Sequence, residues 1–285
     1  MIRGSLINIS KKVMTLLIPH NPINIVQVTD PHLYKNAKGT LLRMNTQDSL
    51  DHVIKLVQET ESDIDLLLAT GDIAQDASLE AYHNFIRTVA VIDAPLRWIP
   101  GNHDSATLML EIAQGTDTGE KSVRLANWLV LLLDTSIEGK VHGRLAESEL
   151  ELLEESLDAA QGDKDLDHCL ICLHHNPIPG NAGWMKDVGL VNDDQFFEII
   201  DRFDKVNCIL YGHIHQDLDF MHKNIRCLCT PSTCIQFKAG VTNFELDKVN
   251  PGYRSLKLFA DGSIETGVRR VGGYALEADY ASKGY

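Results

Sequence analysis

Five short polar clusters punctuate the chain: Asp30-x-His32, Gly71-Asp72, Gly101-Asn102-His103-Asp104, His174-His175 and Gly212-His213-x-His215. Carboxylate, imidazole and a neutral amide form a donor set that suits borderline divalent metals such as Fe, Mn, Zn or Co. Two such ions ~3.5–4 Å apart need a shared carboxylate, and can then clamp the attacking and leaving sides of a phosphoryl displacement. Each cluster alone is weak, since Asp-x-His arises by chance and Gly-Asp is often only a turn. Lone histidines such as His52, His83 and His222 have the character of surface or packing residues. Five clusters in order, each closing an apolar run, are a different matter. Glycine ahead of Asp72, Asn102 and His213 lets the backbone turn sharply and approach an ion.

The apolar runs are the elements that must position these side chains. "INIVQVT" (23–29), "IDLLLAT" (64–70) and "LRWIP" (96–100) are expected strands, as are "NWLVLLLDT" (127–135), "HCLICLHH" (168–175) and "VNCILYGH" (206–213). Helical spacing of Leu50, Val53, Ile54 and Val57 predicts a helix capped by Thr46. Further helices are expected in "SLEAYHNFIRTVA", in "DDQFFEIIDRF" and in the acidic "AESELELLEESLDAA", whose glutamates form a solvated face. In an open α/β sheet the C-terminal ends of the strands converge on one crevice, so the clusters can meet. After residue 217 short strands and turns take over. No internal repeat and no linker divides the chain, which predicts one α/β domain over 21–285 with a β-rich C-terminal part.

The totals narrow the options. Apolar residues make up 44% of 285, enough for a full core. A net charge of −14 argues against sequence-independent nucleic-acid binding, which needs a basic surface. No apolar run of ~18 residues is present, so no membrane span is expected. Residues 1–20 lack a small-residue cleavage site and are expected to be a loose extension rather than a signal peptide. All six cysteines but Cys234 lie in strand-like runs, and Cys169-x-x-Cys172 has no turn between its members. Buried reduced thiols in a cytoplasmic protein are therefore expected.

The clusters resemble the signature of the calcineurin-like metallophosphoesterases: D-x-H, GD, GNH[DE], H and GH-x-H, all present across residues 30 to 215. The resemblance implies a four-layer sandwich of two mixed β-sheets flanked by helices. It implies two divalent ions, one held by Asp30, His32 and His215, the other by Asn102, His174 and His213, with Asp72 bridging both. His103 becomes a catalytic, non-ligand histidine that contacts the phosphate. His32, Asp72, Asn102, His103 and His215 surround the substrate. At the His-His pair His174 is preferred, since strand alternation turns His175 away.

Beyond the clusters, "GDIAQDASLEAY", "HHNPIPGNAGW", "GHIHQDLD", "CLCTPSTCIQFK" and "NFELDKVNPGYRSLKL" are similar to the bacterial class III 3′,5′-cyclic AMP phosphodiesterases. That similarity runs from about residue 20 to the "ASKGY" end. It implies hydrolysis of 3′,5′-cyclic AMP to 5′-AMP by a metal-bound water or hydroxide, with a small-molecule cyclic nucleotide as partner. The alternatives are another phosphoester (2′,3′-cyclic nucleotide, glycerophosphodiester or dinucleotide polyphosphate) and a non-catalytic nucleotide-binding regulator. Asn45, Trp184 and Phe237 are candidates for recognising the base. Metal identity and oligomeric state stay open.

Overall fold

Alternation along Ile23–Val28 sets the architecture. Ile23 and Ile25 pack into one apolar cluster, while Val26 and Val28 pack into another on the opposite face. Side chains of period two on a strand buried on both faces require a layer above and a layer below. The computed structural model describes residues 14–16, 22–275 and 277–284. The first half contains β1 (Met14–Leu16), β2 (Ile23–Val28), a hairpin of β3 (Thr40–Leu41) and β4 (Met44–Asn45), and α1 (Thr46–Thr60). Then come β5 (Leu66–Thr70), α2 (Leu79–Val89), β6 (Leu96–Ile99), α3 (Ala106–Ile112), β7 (Ser122–Leu125) and β8 (Trp128–Leu132). The second half contains α4 (Glu147–Gly162), β9 (His168–Cys172), α5 (Asp193–Ile200), β10 (Val206–Tyr211), β11 (Leu218–His222) and β12 (Ile225–Cys229). A short pair, β13 (Gln236–Phe237) and β14 (Leu246–Asp247), precedes β15 (Gly252–Leu258) and β16 (Ile264–Arg270).

Two mixed sheets result. One has five strands in the order β16-β15-β2-β5-β6, and the other has seven in the order β1-β7-β8-β9-β10-β12-β11. Three apolar clusters fill the three gaps of a four-layer sandwich, as expected. The first joins α1, α2 and α3 to the five-stranded sheet through Leu50, Val53, Phe85 and Met109. The second, with Ile25, Leu68, Trp128, Leu170 and Leu210, lies between the sheets. The third seats α4 and α5 on the seven-stranded sheet through Leu153, Leu157 and Phe196. Each large apolar side chain fully buried in such a layer stabilises the fold by about 1.5–3 kcal/mol.

Some expectations shift in detail. Asn45, not Thr46, caps α1: its side chain accepts from the Asp48 N–H, and Thr46 is the first helical residue. The strands that end in the clusters do not form one open sheet: β2, β5 and β6 belong to one sheet and β9 and β10 to the other, and their ends meet at a seam between the two. Within the stretch expected to be a loose extension, Met14–Leu16 pair parallel with Val123–Leu125. The rest of residues 1–20 lies outside the described residues. All six cysteines are free and buried. Cys169 and Cys172 face opposite sides of β9, one toward the helices and one toward the other sheet, so they cannot act as a pair. No helix among the described residues is long and apolar enough to cross a membrane.

Candidate metal centre

The loops after β2 and β5 are stitched together before any side chain is considered. Asp30 N–H donates to the Gly71 carbonyl at 3.0 Å and His32 N–H to the Asp72 carbonyl at 2.9 Å. From these loops Asp30 and His32 project beside Asp72, and the seven-stranded sheet brings His174, His213 and His215 to face them. Donor atoms of Asp30, His32 and His215 lie within 4.8 Å of one another, as do those of Asp30, Asp72 and His174. The same holds for His32, Asp72 and His103, and for His174, His175 and His213. All eight residues singled out from the sequence are thus gathered at one seam between the sheets, Asn102 by way of His174, 3.3 Å from its side-chain oxygen.

The backbone bends hard to achieve this. Asp30, His32, Asp72, His213 and His215 have φ of 54°, 49°, 50°, 69° and 48°. Left-handed backbone costs a non-glycine residue about 1–2 kcal/mol, so five instances at one site mark a geometry held for its side chains. Gly71, at φ 93°, precedes Asp72, and a Cβ there would overlap the His174 ring. At Gly212 a Cβ would strike Thr29 and Asp30.

Each imidazole has one nitrogen spoken for. His32 Nδ1 meets Gln75 Oε1 at 2.6 Å, His215 Nδ1 meets the Ile235 carbonyl at 2.8 Å, and His174 Nδ1 meets the Thr70 carbonyl at 2.8 Å. A carbonyl only accepts, so a proton sits on Nδ1 and Nε2 points inward, as a free lone pair wherever the ring is neutral. The Nε2 atoms of His32 and His215 are consequently two lone pairs 3.2 Å apart. His213 is reversed: Nε2 is bonded to the Val188 carbonyl at 2.9 Å, and its buried Nδ1 has no hydrogen-bond partner. Facing lone pairs and an orphaned ring nitrogen are what a cation relieves, so the donor set fits a metal. His175 differs, with both nitrogens occupied by Thr135 Oγ1 at 2.7 Å and the Val141 carbonyl at 3.1 Å.

Asp72 is at the centre. Its Oδ1 accepts from the His103 N–H at 2.9 Å, while Oδ2 lies 3.4 Å from His174 Nε2 and 3.8 Å from His32 Nε2. Burial alone would raise its carboxyl, but the His174 imidazole outweighs that and holds it well below the usual range. At His174 burial acts to lower the pKa, and the Asp72 carboxylate overcomes it, pushing the ring up to about 9. Burial takes His32 and His213 the other way, each down to about 3. Those two rings are neutral at pH 7, as ligands must be.

Several supporting residues were not apparent from the sequence. Asp104 accepts from the N–H groups of Gly101 (2.8 Å), Ile73 (3.0 Å) and Ala74 (2.8 Å), tying the loop after β6 to the loop after β5. Burial, then the neighbouring Asp72, raises its carboxyl to about 7. Thr29 Oγ1 donates to Asp30 Oδ2 at 2.6 Å, and the His213 N–H donates to the same carboxylate. The only signal for Asp104 and Gln75 was their place inside the clusters "GNHD" and "GDIAQD".

A cavity of about 570 Å³ opens on Asp72, Asn102, His103 and His213. Trp184, Phe237 and Phe244 form its apolar wall, and Lys283 and Gly284 of the C-terminal tail border it. Phe237 stacks on the His215 ring at 4.2 Å and 10°, and Trp184 meets Phe237 edge-on at 5.1 Å. The Trp184 indole N–H is buried without a partner. Two of the three candidates for base recognition therefore reach the cavity. Asn45 does not: its amide caps α1 and donates to the Ala37 carbonyl.

Known proteins agree with this architecture. The chain is 42% identical to the 3′,5′-cyclic adenosine monophosphate phosphodiesterase CpdA of Pseudomonas aeruginosa, over 92% of this chain and 94% of that one. It is 38% identical to the protein of the same name in Vibrio vulnificus, over 94% of this chain and 97% of that one. Among solved structures, a dimetal phosphatase from Danio rerio shares the fold with a TM-score of 0.59 at 16% identity, covering 88% of this chain and all of that one. The profile of the calcineurin-like phosphoesterases matches residues 23–217, the span from β2 to just beyond the last cluster, and with the extent of these similarities it shows that the chain belongs to the calcineurin-like phosphoesterase family.

Proposed function

We propose that the chain hydrolyses 3′,5′-cyclic AMP to 5′-AMP at a centre of two divalent cations. Asp30, His32 and His215 would hold one cation, Asn102, His174 and His213 the other, and Asp72 would bridge them. The observation that carries the dinuclear assignment is the position of Asp72 Oδ2, between the inward nitrogens of His32 and His174. When bound, the two cations supply Lewis acidity to the phosphate and generate the nucleophile at neutral pH. The protein does the rest. Asn102 and His103, which line the cavity, orient the phosphodiester, and His103 stabilises or protonates the ribose 3′-oxygen as it leaves in line. The wall of Trp184, Phe237 and Phe244 suits a purine face, where stacking contributes ~1–3 kcal/mol. The names of the bacterial relatives support the same substrate. Mn, Fe, Zn and Co all suit the ligands, and availability decides among them.

Steady-state kinetics test the substrate. We expect kcat/KM for 3′,5′-cyclic AMP to exceed that for 2′,3′-cyclic AMP and for glycerophosphodiesters, with 5′-AMP as product, and we expect chelation to abolish turnover until Mn²⁺ is returned. A tenfold preference for either alternative would leave a phosphodiesterase with a different substrate.

Metal uptake should also release protons. With His174 at about 9, the metal-free protein at pH 7 carries a proton on this ring that a cation must displace. Affinity is therefore expected to climb with pH toward 9. The sign for stability is opposite: the His174–Asp72 pair supports the metal-free fold fully below the ordinary histidine value of 6.5, and that support is lost as pH rises through about 9. Calorimetry in buffers of different ionisation enthalpy counts the protons. No release at pH 7 would contradict the charged pair.

A further inference from the structure

The strand leading to Asp30 and His32 carries a polar side chain where its alternation calls for an apolar one. Ile23 and Ile25 face the layer between the sheets, and the next residue on that face is Gln27, fully buried. A buried amide is destabilising unless its groups are matched. Here every one is matched. Gln27 Nε2 donates to Thr70 Oγ1 at 2.7 Å and to the Tyr211 carbonyl at 3.4 Å, and Oε1 accepts from the Thr230 hydroxyl. Thr230 in turn accepts from Nε of the buried Arg254 at 3.1 Å, and Arg254 reaches the Cys229 carbonyl and Asp217, each at 2.8 Å.

Gln27 is paired with Arg254 on β15 and with Leu68 on β5, and Thr70 is the next inward residue beyond Leu68. Thr70, Thr230 and Arg254 each sit two positions from an inter-sheet leucine, namely Leu68, Leu228 and Leu256. The layer between the sheets thus changes from apolar to polar one step beneath the metal seam. Gln27 and Thr70 belong to the five-stranded sheet, whereas Tyr211 ends β10 of the seven-stranded sheet and Thr230 follows β12. The proposed ligands divide in the same way: Asp30, His32, Asp72 and Asn102 follow strands of the first sheet, and His174, His213 and His215 follow strands of the second. Links to the ligands are short. The Thr70 carbonyl receives His174 Nδ1, and Tyr211 lies two residues before His213.

We propose that Gln27 is a positioning residue that sets the spacing of the two sheets under the dinuclear centre, and through it the affinity for metal. This rests on the ligand assignment above, in which each cation takes ligands from both sheets. A side chain bonded to both sheets at that level fixes the distance a cation must span. Partners that orient metal ligands typically contribute ~10–100-fold in metal affinity.

The test compares two buried substitutions in the same layer. Gln27→Leu retains most of the volume and removes the bridge, while Leu68→Ala opens a cavity beside Gln27 and removes none of its hydrogen bonds. Mn²⁺ affinity of the metal-depleted full chain is measured by competition with a chromogenic chelator, alongside thermal midpoints and kinetics. For Gln27→Leu we expect about tenfold weaker Mn²⁺ binding, with KM near wild type and turnover recovered at saturating Mn²⁺. Leu68→Ala should lose stability but keep its Mn²⁺ affinity. Thr230→Val, which deletes the Thr230–Gln27 link and also the acceptor of Arg254 Nε, should weaken Mn²⁺ several-fold and supplies the measurement if Gln27→Leu does not fold. Unchanged affinity in a folded bridge variant, or an equal loss in Leu68→Ala, would overturn the role of Gln27. A wild-type chain that binds no Mn²⁺ would overturn the ligand assignment as well, so the two failures are distinguishable.

Discussion

Asp72→Ala is expected to lose both cations together and to lower turnover of cyclic AMP by more than about 10³-fold, beyond the ~10²–10³ that removal of one preorganised electrostatic group causes. The reason is positional. Oδ2 of Asp72 is the atom that lies near Nε2 of both His32 and His174, while Oδ1 is fixed by the His103 N–H. A residue shared by two ions weakens both when removed. Asp30→Ala removes a carboxylate whose near imidazole is that of His215 (3.3 Å from Oδ1 to Nε2) and whose link to His213 is only to its backbone N–H, so it should mainly empty its own position. Elemental analysis after equilibrium dialysis distinguishes the cases. Two ions per chain in Asp72→Ala would mean that no bridge exists.

His103→Ala should behave in the opposite way, keeping its metals and losing ~10²–10⁴-fold in rate, the range for a positioned acid–base group. What His103 gives to Asp72 is its backbone N–H, and alanine retains that bond. The half-buried residue lines the cavity, its ring edge-on to His32 at 5.1 Å. The loss should therefore fall on kcat, with metal content near wild type. A variant that arrives depleted of metal would make His103 a ligand.

The site was more legible in the sequence than the scaffold around it. Carboxylate, amide and imidazole types can be recognised one residue at a time, and a strand end tells roughly where each one points. Hydrogen-bond competition between neighbours cannot be recognised that way. Thr46 and Asn45 are both good caps in isolation, and only the Asp48 N–H decides between them. Helix α3, of seven residues, and β7, of four, are too short for periodicity to reveal. Gln27 is the instructive case. It is a polar residue in a run expected to be a strand, but its partners Tyr211 and Thr230 lie 184 and 203 residues away in sequence. Polar residues on inward strand positions are signals that become interpretable only when the opposing sheet is known.

The order in which the chain is made bears on when its first strand is finished. β2 lies between β5 and β15, paired parallel with the one and antiparallel with the other. One side is therefore completed early in synthesis, and the other only by residues 252–258, long after His215 has been added. Until then the strand presents an open hydrogen-bonding edge, the kind on which nascent and shortened chains associate. A fragment that stopped after the last metal cluster would contain every proposed ligand and still lack a neighbour for the strand that presents two of them. The β-rich tail is in this sense the clasp of the molecule.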